Sequence, residues 1–81
     1  MVVRLFATAR EAAGTGRIEW PSGNRGISVG DLVRALTREC PALAPILKHA
    51  RFARNGTYLP GRAGRLRPGD ELAVHPPYSG G

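Results

Sequence analysis

The sequence contains few of the side chains that bind metals or form disulfides. It has one cysteine, Cys40, and two histidines, His49 and His75. A single thiol excludes a disulfide within the chain, and these three residues match no metal-binding spacing. We therefore expect no bound metal. We expect Cys40, which falls within a helical apolar pattern, to be a small buried hydrophobic residue.

The chain also lacks a long apolar run. No stretch approaches the roughly 20 apolar residues that a membrane-spanning helix needs. The first ten residues, MVVRLFATAR, have no basic region followed by the apolar run of a signal peptide. We therefore expect a cytoplasmic protein with no membrane partner. At 81 residues the chain makes one small domain with a thin core, so function should lie on its surface or at an end.

Lysine is nearly absent: Lys48 is the only one among twelve basic residues, and the net charge is +6. This balance is compatible with a nucleic-acid partner, an acidic protein partner or solubility alone. Nucleic-acid binding would combine basic residues with exposed aromatic rings, but Phe52 and Tyr58 lie where strand residues pack. Since no recognition motif accompanies the charge, the pattern favours a solvated face over a nucleic-acid site. The arginines in question cluster in the second half: Arg51, Arg54, Arg62, Arg65 and Arg67.

The first quarter of the chain predicts a strand, a short helix and a second strand. VVRLFA alternates, with Val3 and Leu5 on one side. TAREAAG follows as a helix of one or two turns, with Thr8 and Glu11 as a capping box and Gly14 at its end. RIEW then alternates again as a strand.

The segment SVGDLVRALTREC predicts the main helix. Ser28 precedes Asp31 by three residues and can cap the helix, and Pro41 ends it because the residue before a proline disfavours helical geometry. A compact connector, PALAPILKH, follows. The apolar stripe of this helix consists of Val29, Leu32, Val33, Leu36 and Cys40.

The second half predicts three further strands. ARFARNGTYL contains two short strands around Asn55-Gly56, a strong signal for a tight hairpin. LRPGDELAVH is a turn that leads into a last strand, with Leu72 and Val74 pointing inward. Strands grouped before and after one long helix predict an α+β fold, with that helix on one face of the sheet.

The chain has no recognisable catalytic pair. His75 alternates out of phase with its apolar neighbours, so we expect it to be exposed or at a sheet edge, with no carboxylate or nucleophile as partner. Asp70 and Glu71 are adjacent at the start of a strand and should point apart. The sequence therefore predicts no acid/base site inside the domain.

The chain ends in HPPYSGG, directly after the last predicted strand. Pro76 and Pro77 hold the chain extended and prevent further strand pairing. Residues 76–81 can extend to about 20 Å. Gly80 and Gly81 have no side chains, so a partner can enclose them in a narrow slot. The reactive group at the tip would be the terminal carboxylate of Gly81.

Several short motifs together carry a family resemblance. Phe-Ala stands at residues 6–7, Arg-Glu-x-x-Gly at residues 10–14, and Asn55 comes before a hairpin turn. Gly-Asp precedes the last strand at residues 69–70, and Pro-Pro-x-x-Gly-Gly fills residues 76–81. In this combination and order, over nearly the whole chain, the sequence resembles the small subunit of molybdopterin synthase, a family of sulfur carriers.

The resemblance implies a ubiquitin-like β-grasp fold, with a mixed sheet packed on one main helix. Residues 1–75 would form the domain, and residues 76–81 would form the extended reactive tail. Apart from the resemblance, the apolar side of the exposed sheet is a candidate docking face, because interface anchors are usually aromatic or aliphatic, although Phe6 fits the core equally well. The partner-binding residues implied or suggested in this way are Phe6, Val74, His75, Pro76, Pro77, Tyr78, Ser79 and Gly80.

The resemblance also implies a mechanism. An E1-like activating enzyme would use ATP to adenylate Gly81, and a persulfide sulfur donor would displace AMP to leave a thiocarboxylate. The chain would then dock on a large synthase subunit and give its sulfur to a pterin precursor of molybdopterin. The chain would bind no cofactor itself and would hold the reactive atom without the catalytic machinery.

Two residues depart from the family pattern. His75 stands where a large apolar residue is usual, and Tyr78 stands where Val is common. They leave open a related carrier that serves another route, such as cysteine synthesis, tRNA thiolation or protein conjugation. A basic nucleic-acid-binding module that uses the arginine cluster is the third reading.

Overall fold

The computed structural model describes residues 1–21, 23 and 25–77. A 3-10 turn, Pro41–Leu43, joins the second and third helices. In chain order the elements are β1 (Val2–Leu5), α1 (Ala7–Ala13), β2 (Arg17–Glu19), β3 (Ile27–Ser28), α2 (Val29–Glu39), α3 (Ala44–Leu47), β4 (Arg51–Arg54), β5 (Thr57–Tyr58), β6 (Arg65–Leu66) and β7 (Glu71–His75).

Five strands form the main sheet, in the order β2-β1-β7-β4-β5. β1 and β7 are parallel, and the other neighbours are antiparallel, so the sheet is mixed. This confirms the predicted α+β class. The helices pack on one side of the sheet and share its core. The other side, which we call the open face, carries none of the described helices.

Strict alternation places the core on the helix side of the sheet. Val3 and Leu5 of β1 are buried, as are Leu72 and Val74 of β7, while Phe52 of β4 is 1% exposed. The predicted inward residues of β1 and β7 are thus confirmed. Burying such side chains contributes about 1.5–3 kcal/mol each, which makes this face the main source of stability.

The start of α1 differs from the prediction. β1 stops before Phe6 because Ala7 has a φ of 50°, a left-handed conformation that breaks an extended strand. Phe6 occupies the N-cap without a side-chain hydrogen bond, and Thr8 and Glu11 both lie inside the helix, so the capping box is wrong. The predicted end is confirmed, since Gly14 follows the last turn with a φ of 75°.

The main helix follows its prediction closely. The Ser28 hydroxyl accepts a hydrogen bond from the Asp31 N–H at 3.1 Å, and α2 ends one residue before Cys40 and two before Pro41. Cys40 is half-buried at the edge of the core, where its Sγ donates to the Ala12 carbonyl at 3.7 Å. No helix among the described residues is long and apolar enough to cross a bilayer.

A second, two-stranded sheet has no counterpart in the sequence prediction. β3 and β6 pair antiparallel, with Ile27 opposite Leu66 and Ser28 opposite Arg65. Leu66 is fully buried, so this small sheet closes one side of the core. Two residues per strand are too few for an alternation to be read from sequence.

The hairpin at Asn55-Gly56 is confirmed. The two residues have φ values of 49° and 87°, as a two-residue type I′ turn requires. β4 and β5 pair on either side of the turn.

Asn55 also ties this hairpin to the start of β7. Its Nδ2 donates to Asp70 Oδ1 at 3.0 Å, and its Oδ1 accepts from the Glu71 N–H at 2.9 Å. The other Asp70 oxygen accepts from the Arg67 N–H at 2.9 Å. Two of the motifs that carry the family resemblance therefore meet in space and anchor the strand that leads to the tail.

This anchor predicts an acid-sensitive contribution to stability. The Arg67 N–H, and after it the Asn55 amide, donate to Asp70 and hold the pKa of its carboxyl below the usual value. The stabilisation is present above the unfolded Asp pKa of about 3.9 and is lost as pH falls through the lower folded pKa. In urea unfolding, we therefore expect Asp70→Asn to be less stable than the parent near neutral pH, with a difference that shrinks in acid.

The matched control is Glu11→Gln, because the Glu11 side chain is exposed and makes no hydrogen bond or ion pair with the described residues. Its difference from the parent should stay small over the same pH range. A difference between Asp70→Asn and the parent that does not change with pH would show that the Asp70 charge is not what the anchor uses.

Candidate functional site

The predicted tail leaves the sheet from its middle strand. β7 lies between β1 and β4, and its last residue is His75. Pro76 is half-buried and Pro77 is exposed, and neither can donate a backbone hydrogen bond to continue the strand pairing. The other predicted tail residues lie outside the described part of the chain: Tyr78, Ser79, Gly80 and Gly81.

Among the described residues, three aromatic rings surround the point where the tail begins. The His75 ring stacks on the Phe6 ring, with centroids 4.8 Å apart and planes within 6°. The Tyr58 ring lies 5.7 Å from His75 on the other side, tilted by 54°. Phe6 is 37% exposed and Tyr58 is 52% exposed. We call these three rings on the open face the tail-root surface.

Arginines border this surface. The Arg51 guanidinium lies over the Tyr58 ring, 4.6 Å from its centroid, and Arg4 lies 5.9 Å from the Phe6 centroid. Arg4 also approaches Glu71 Oε1 at 3.6 Å, so Glu71 points to the open face while Asp70 faces the hairpin. This confirms that the two carboxylates point apart. An aromatic centre with a cationic rim suits a partner with apolar anchors and acidic neighbours.

Two alanines form the floor beside the rings. Ala73 of β7 pairs with Ala53 of β4 on one side and with Arg4 of β1 on the other. Ala53 is 4% exposed, although it lies on the open face rather than in the main core. Because these alanine side chains do not protrude from the open face, a partner can reach the tail-root rings without a steric clash.

The structure separates the predicted docking residues. Phe6 lies on the open face, but Val74 is fully buried, so its place among the partner-binding residues is corrected. The reason is the alternation of β7, which turns Val74 to the helix side with Leu72 and leaves His75 on the open side. His75 is half-buried in the middle of the sheet, not at an edge.

Tyr58 is the functional candidate that sequence reasoning missed. The prediction placed it among packed strand residues, yet more than half of its side chain is exposed. β5 is the outer strand of the sheet and has only two residues, so little chain covers it. The available signal was its place two residues after the Asn55-Gly56 turn, near the end of a short strand.

The arginine cluster of the second half is largely engaged with backbone. Three arginine side chains donate to backbone carbonyl oxygens. The Arg54 side chain donates to the Arg65 carbonyl at 3.0 Å and the Arg62 side chain to the Leu47 carbonyl at 3.2 Å. The Arg65 side chain donates to the Arg25 carbonyl at 3.2 Å. These bonds brace the segment between β5 and β7. The cluster therefore has a structural role that does not require a nucleic acid.

Comparison with known sequences identifies a family that matches nearly the whole chain. The profile of the ThiS family matches residues 3–81. The chain is 38% identical over 80 residues to the molybdopterin synthase sulfur carrier subunit of Chlamydomonas reinhardtii, which spans 98% of this chain and 95% of that protein. It is 35% identical over 89 residues to small archaeal modifier protein 3 of Haloferax volcanii, which spans 98% of this chain and 96% of that protein.

Comparison with solved structures supports the fold. The solution structure of small archaeal modifier protein 1 from Methanosarcina acetivorans superposes with a TM-score of 0.81 at 31% identity. The match covers 99% of this chain and 94% of that chain. This likeness confirms the predicted ubiquitin-like β-grasp fold.

Proposed function

The chain belongs to the ThiS family, and from this we propose that it is a ubiquitin-like sulfur carrier whose terminal glycine receives the sulfur. The observation that carries the proposal is the position of the tail root. The Pro76-Pro77 segment leaves the central strand beside an exposed aromatic surface, so one partner can hold the domain and receive residues 78–81 at the same time. The division at residues 75 and 76 stays a prediction.

The proposed chemistry begins with activation of a poor electrophile. An oxygen of the Gly81 carboxylate attacks the α-phosphorus of ATP in the activating enzyme, and pyrophosphate leaves. The terminal sulfur of a persulfide then attacks the carbonyl carbon, and AMP leaves. A thiol cleaves the resulting sulfur–sulfur bond, which leaves a thiocarboxylate on Gly81 and a disulfide on the donor side. The described residues supply binding and position in these steps.

The chain's own contribution is reach and fit. Two prolines hold the start of the tail away from the sheet, and six residues extend to about 20 Å. The glycines at the tip suit a narrow slot. Because the activating enzyme and the large synthase subunit both need the same tip, we propose that both bind the tail-root surface, one after the other.

The docking role predicts a large effect of a charge at Phe6. We expect Phe6→Asp to weaken binding to the activating enzyme and to the large synthase subunit by about 10- to 100-fold, as loss of an aromatic anchor does. Aspartate is a favourable N-cap residue, so this change should not destabilise α1. Isothermal titration with each partner measures the effect.

Two variants are the controls for this titration. Phe6→Leu keeps an apolar anchor and should bind within a few fold of the parent, while Ala42→Asp adds the same charge at an exposed site on the helix side. Unchanged affinity of Phe6→Asp for both partners would remove the tail-root surface from the account.

For the acceptor, we propose the pterin precursor of molybdopterin, on the strength of the Chlamydomonas relative's name. The large synthase subunit would then be the docking partner. A strain that lacks this protein should lose molybdoenzyme activity and regain it with the parent chain but not with the chain lacking Gly81. Full molybdoenzyme activity in the strain without the protein would exclude this route.

The second candidate is protein modification, which the name of the Haloferax relative favours. Its signature would be covalent conjugates of this chain, joined through Gly81 to lysines of other proteins. Immunoblots of the same strains distinguish the two routes, since conjugates that require Gly81 with unaffected molybdoenzymes would support modification instead.

A further inference from the structure

A groove of about 670 Å³ lies on the helix side of the molecule, away from the tail-root surface. α2 forms one wall and α3 forms the other, and the segment after β5 closes the end with Arg62. Its size falls within the range of binding clefts, roughly 300–1,000 Å³. It does not depend on the Gly81 chemistry proposed above.

The rim of the groove is strongly cationic. Arg34, Arg38, Lys48 and Arg62 line it against a single carboxylate, Asp31. Asp31 pairs with Arg34, which leaves three positive charges without a counter-charge. Arg38 and Lys48 make no side-chain hydrogen bond or ion pair with the described residues. The rim therefore attracts an anionic ligand.

The floor of the groove is apolar. Val33 of α2 and Leu47 of α3 form its base, and half-buried Ala35 and Ala44 lie beside them. Arg62 Nη2 donates to the Leu47 carbonyl at 3.2 Å, which holds this cation beside the floor residue Leu47. Because the floor residues are small and the rim is cationic, the groove has room for an aliphatic side chain of a ligand that carries carboxylates on either side.

We propose that this groove binds an acidic peptide segment of a partner protein, anchored by an aliphatic side chain in the floor. Charge complementarity selects the acid, and the apolar floor selects a peptide over a nucleic acid. Nucleic-acid grooves combine cations with aromatic rings that stack on bases, and the described residues that line this groove include no aromatic ring.

The groove and the tail-root surface lie on opposite sides of the sheet. A partner in the groove leaves Phe6, Tyr58 and His75 accessible. The carrier can therefore stay attached to one protein through the groove while its tail enters the active site of another. Such a second attachment raises the effective concentration of the tail at its target.

The test uses the full chain and a fluorescent peptide, Glu-Glu-Leu-Glu-Glu-Leu-Glu-Glu, in an anisotropy titration. Lys48→Glu reverses an unpaired rim charge at an exposed site, and we expect it to weaken binding roughly tenfold. The matched control is Arg25→Glu, which makes the same change in net charge at an exposed site outside the groove. The affinity of this variant should stay within about twofold of the parent, because salt screens the effect of a charge outside the groove.

Two further probes separate the alternatives. A peptide with both leucines replaced by serine should bind more weakly, because it loses the floor contact. A single-stranded oligouridine should also bind more weakly than the peptide, and its binding should not respond selectively to Lys48→Glu. Equal loss in Lys48→Glu and Arg25→Glu, equal binding of the serine peptide, or tighter binding of the oligouridine would each overturn the proposal. Removal of Gly81 should leave peptide binding unchanged, so a failure here and a failure of sulfur loading are independent results.

Discussion

Removal of Gly81 is expected to abolish sulfur loading and leave the folded domain intact. The truncated chain still ends in a glycine carboxylate, that of Gly80, so the chemical group is retained. It is shorter by one residue, about 3.3–3.6 Å. Displacement of a reacting group by even 1 Å can cost on the order of 100-fold in rate, so we expect at least that loss.

The reason lies in the proposed mechanism, in which the persulfide nucleophile and ATP belong to the partners. No acid/base pair among the described residues could then compensate for a misplaced carboxylate. The rate then depends on whether the tip reaches the reacting atoms while the tail-root surface is docked. The parent and truncated chains should bind the activating enzyme with similar affinity, since Phe6, Tyr58 and His75 are unchanged.

Two controls accompany the truncation. Gly81→Ala keeps the length but adds a methyl group at the tip, which tests the narrow slot separately from the reach. Thermal unfolding of all three chains should give the same midpoint, because residues 78–81 follow the last strand. Sulfur loading of the truncated chain at the parent's rate would show that Gly81 is not the residue that receives the sulfur.

Addition of a single methyl group at Gly26 is expected to lower the stability of the domain more than the same change at Gly14. Gly26 has a φ of 72°, and a Cβ there would collide with the Leu66 carbonyl oxygen and lie 3.0 Å from its carbon and 3.2 Å from Arg67 Cα. All three atoms are backbone, so no side chain can rotate away. We expect Gly26→Ala to lower the free energy of unfolding by about 2–5 kcal/mol, combining left-handed strain with overpacking.

Gly14→Ala is the matched control. Gly14 has a similar φ of 75°, but a Cβ there would meet nothing within 4 Å. It should cost only the conformational strain, about 1–2 kcal/mol. Urea unfolding of both variants measures the difference. Equal losses would mean that Leu66 and Arg67 can shift, and that the small β3–β6 sheet is not a rigid part of the core.

Much of the fold could be predicted because it is set by local chemistry. The Asn55-Gly56 turn needs two positive φ values, which few other pairs adopt as readily. The Ser28 cap and the Pro41 stop act within one turn of α2. The alternation of β7 follows from strand geometry alone. The spacing of Thr8 and Glu11 fits a capping box, but the prediction is wrong because the helix begins earlier, at the left-handed residue Ala7.

The rest depends on contacts between distant parts of the chain. β3 and β6 are separated by α2, α3 and the hairpin, and two residues in each carry no readable period. The tail-root surface joins rings from the end of β1, from β5 and from β7. Phe6 and His75 can stack because β1 and β7 are neighbours in the sheet, which the sequence does not reveal. The same tertiary information adds Tyr58, whereas the burial of Val74 already follows from the alternation of β7.

The most direct test of the account is the intact mass of the parent chain after incubation with the activating enzyme of the same organism, ATP and a persulfide donor. The mass of the chain should increase by the replacement of one oxygen by sulfur, and fragmentation should locate this change on Gly81. No gain in mass, with an activating enzyme that forms the acyl adenylate of another family member, would contradict the assignment of this chain as a sulfur carrier.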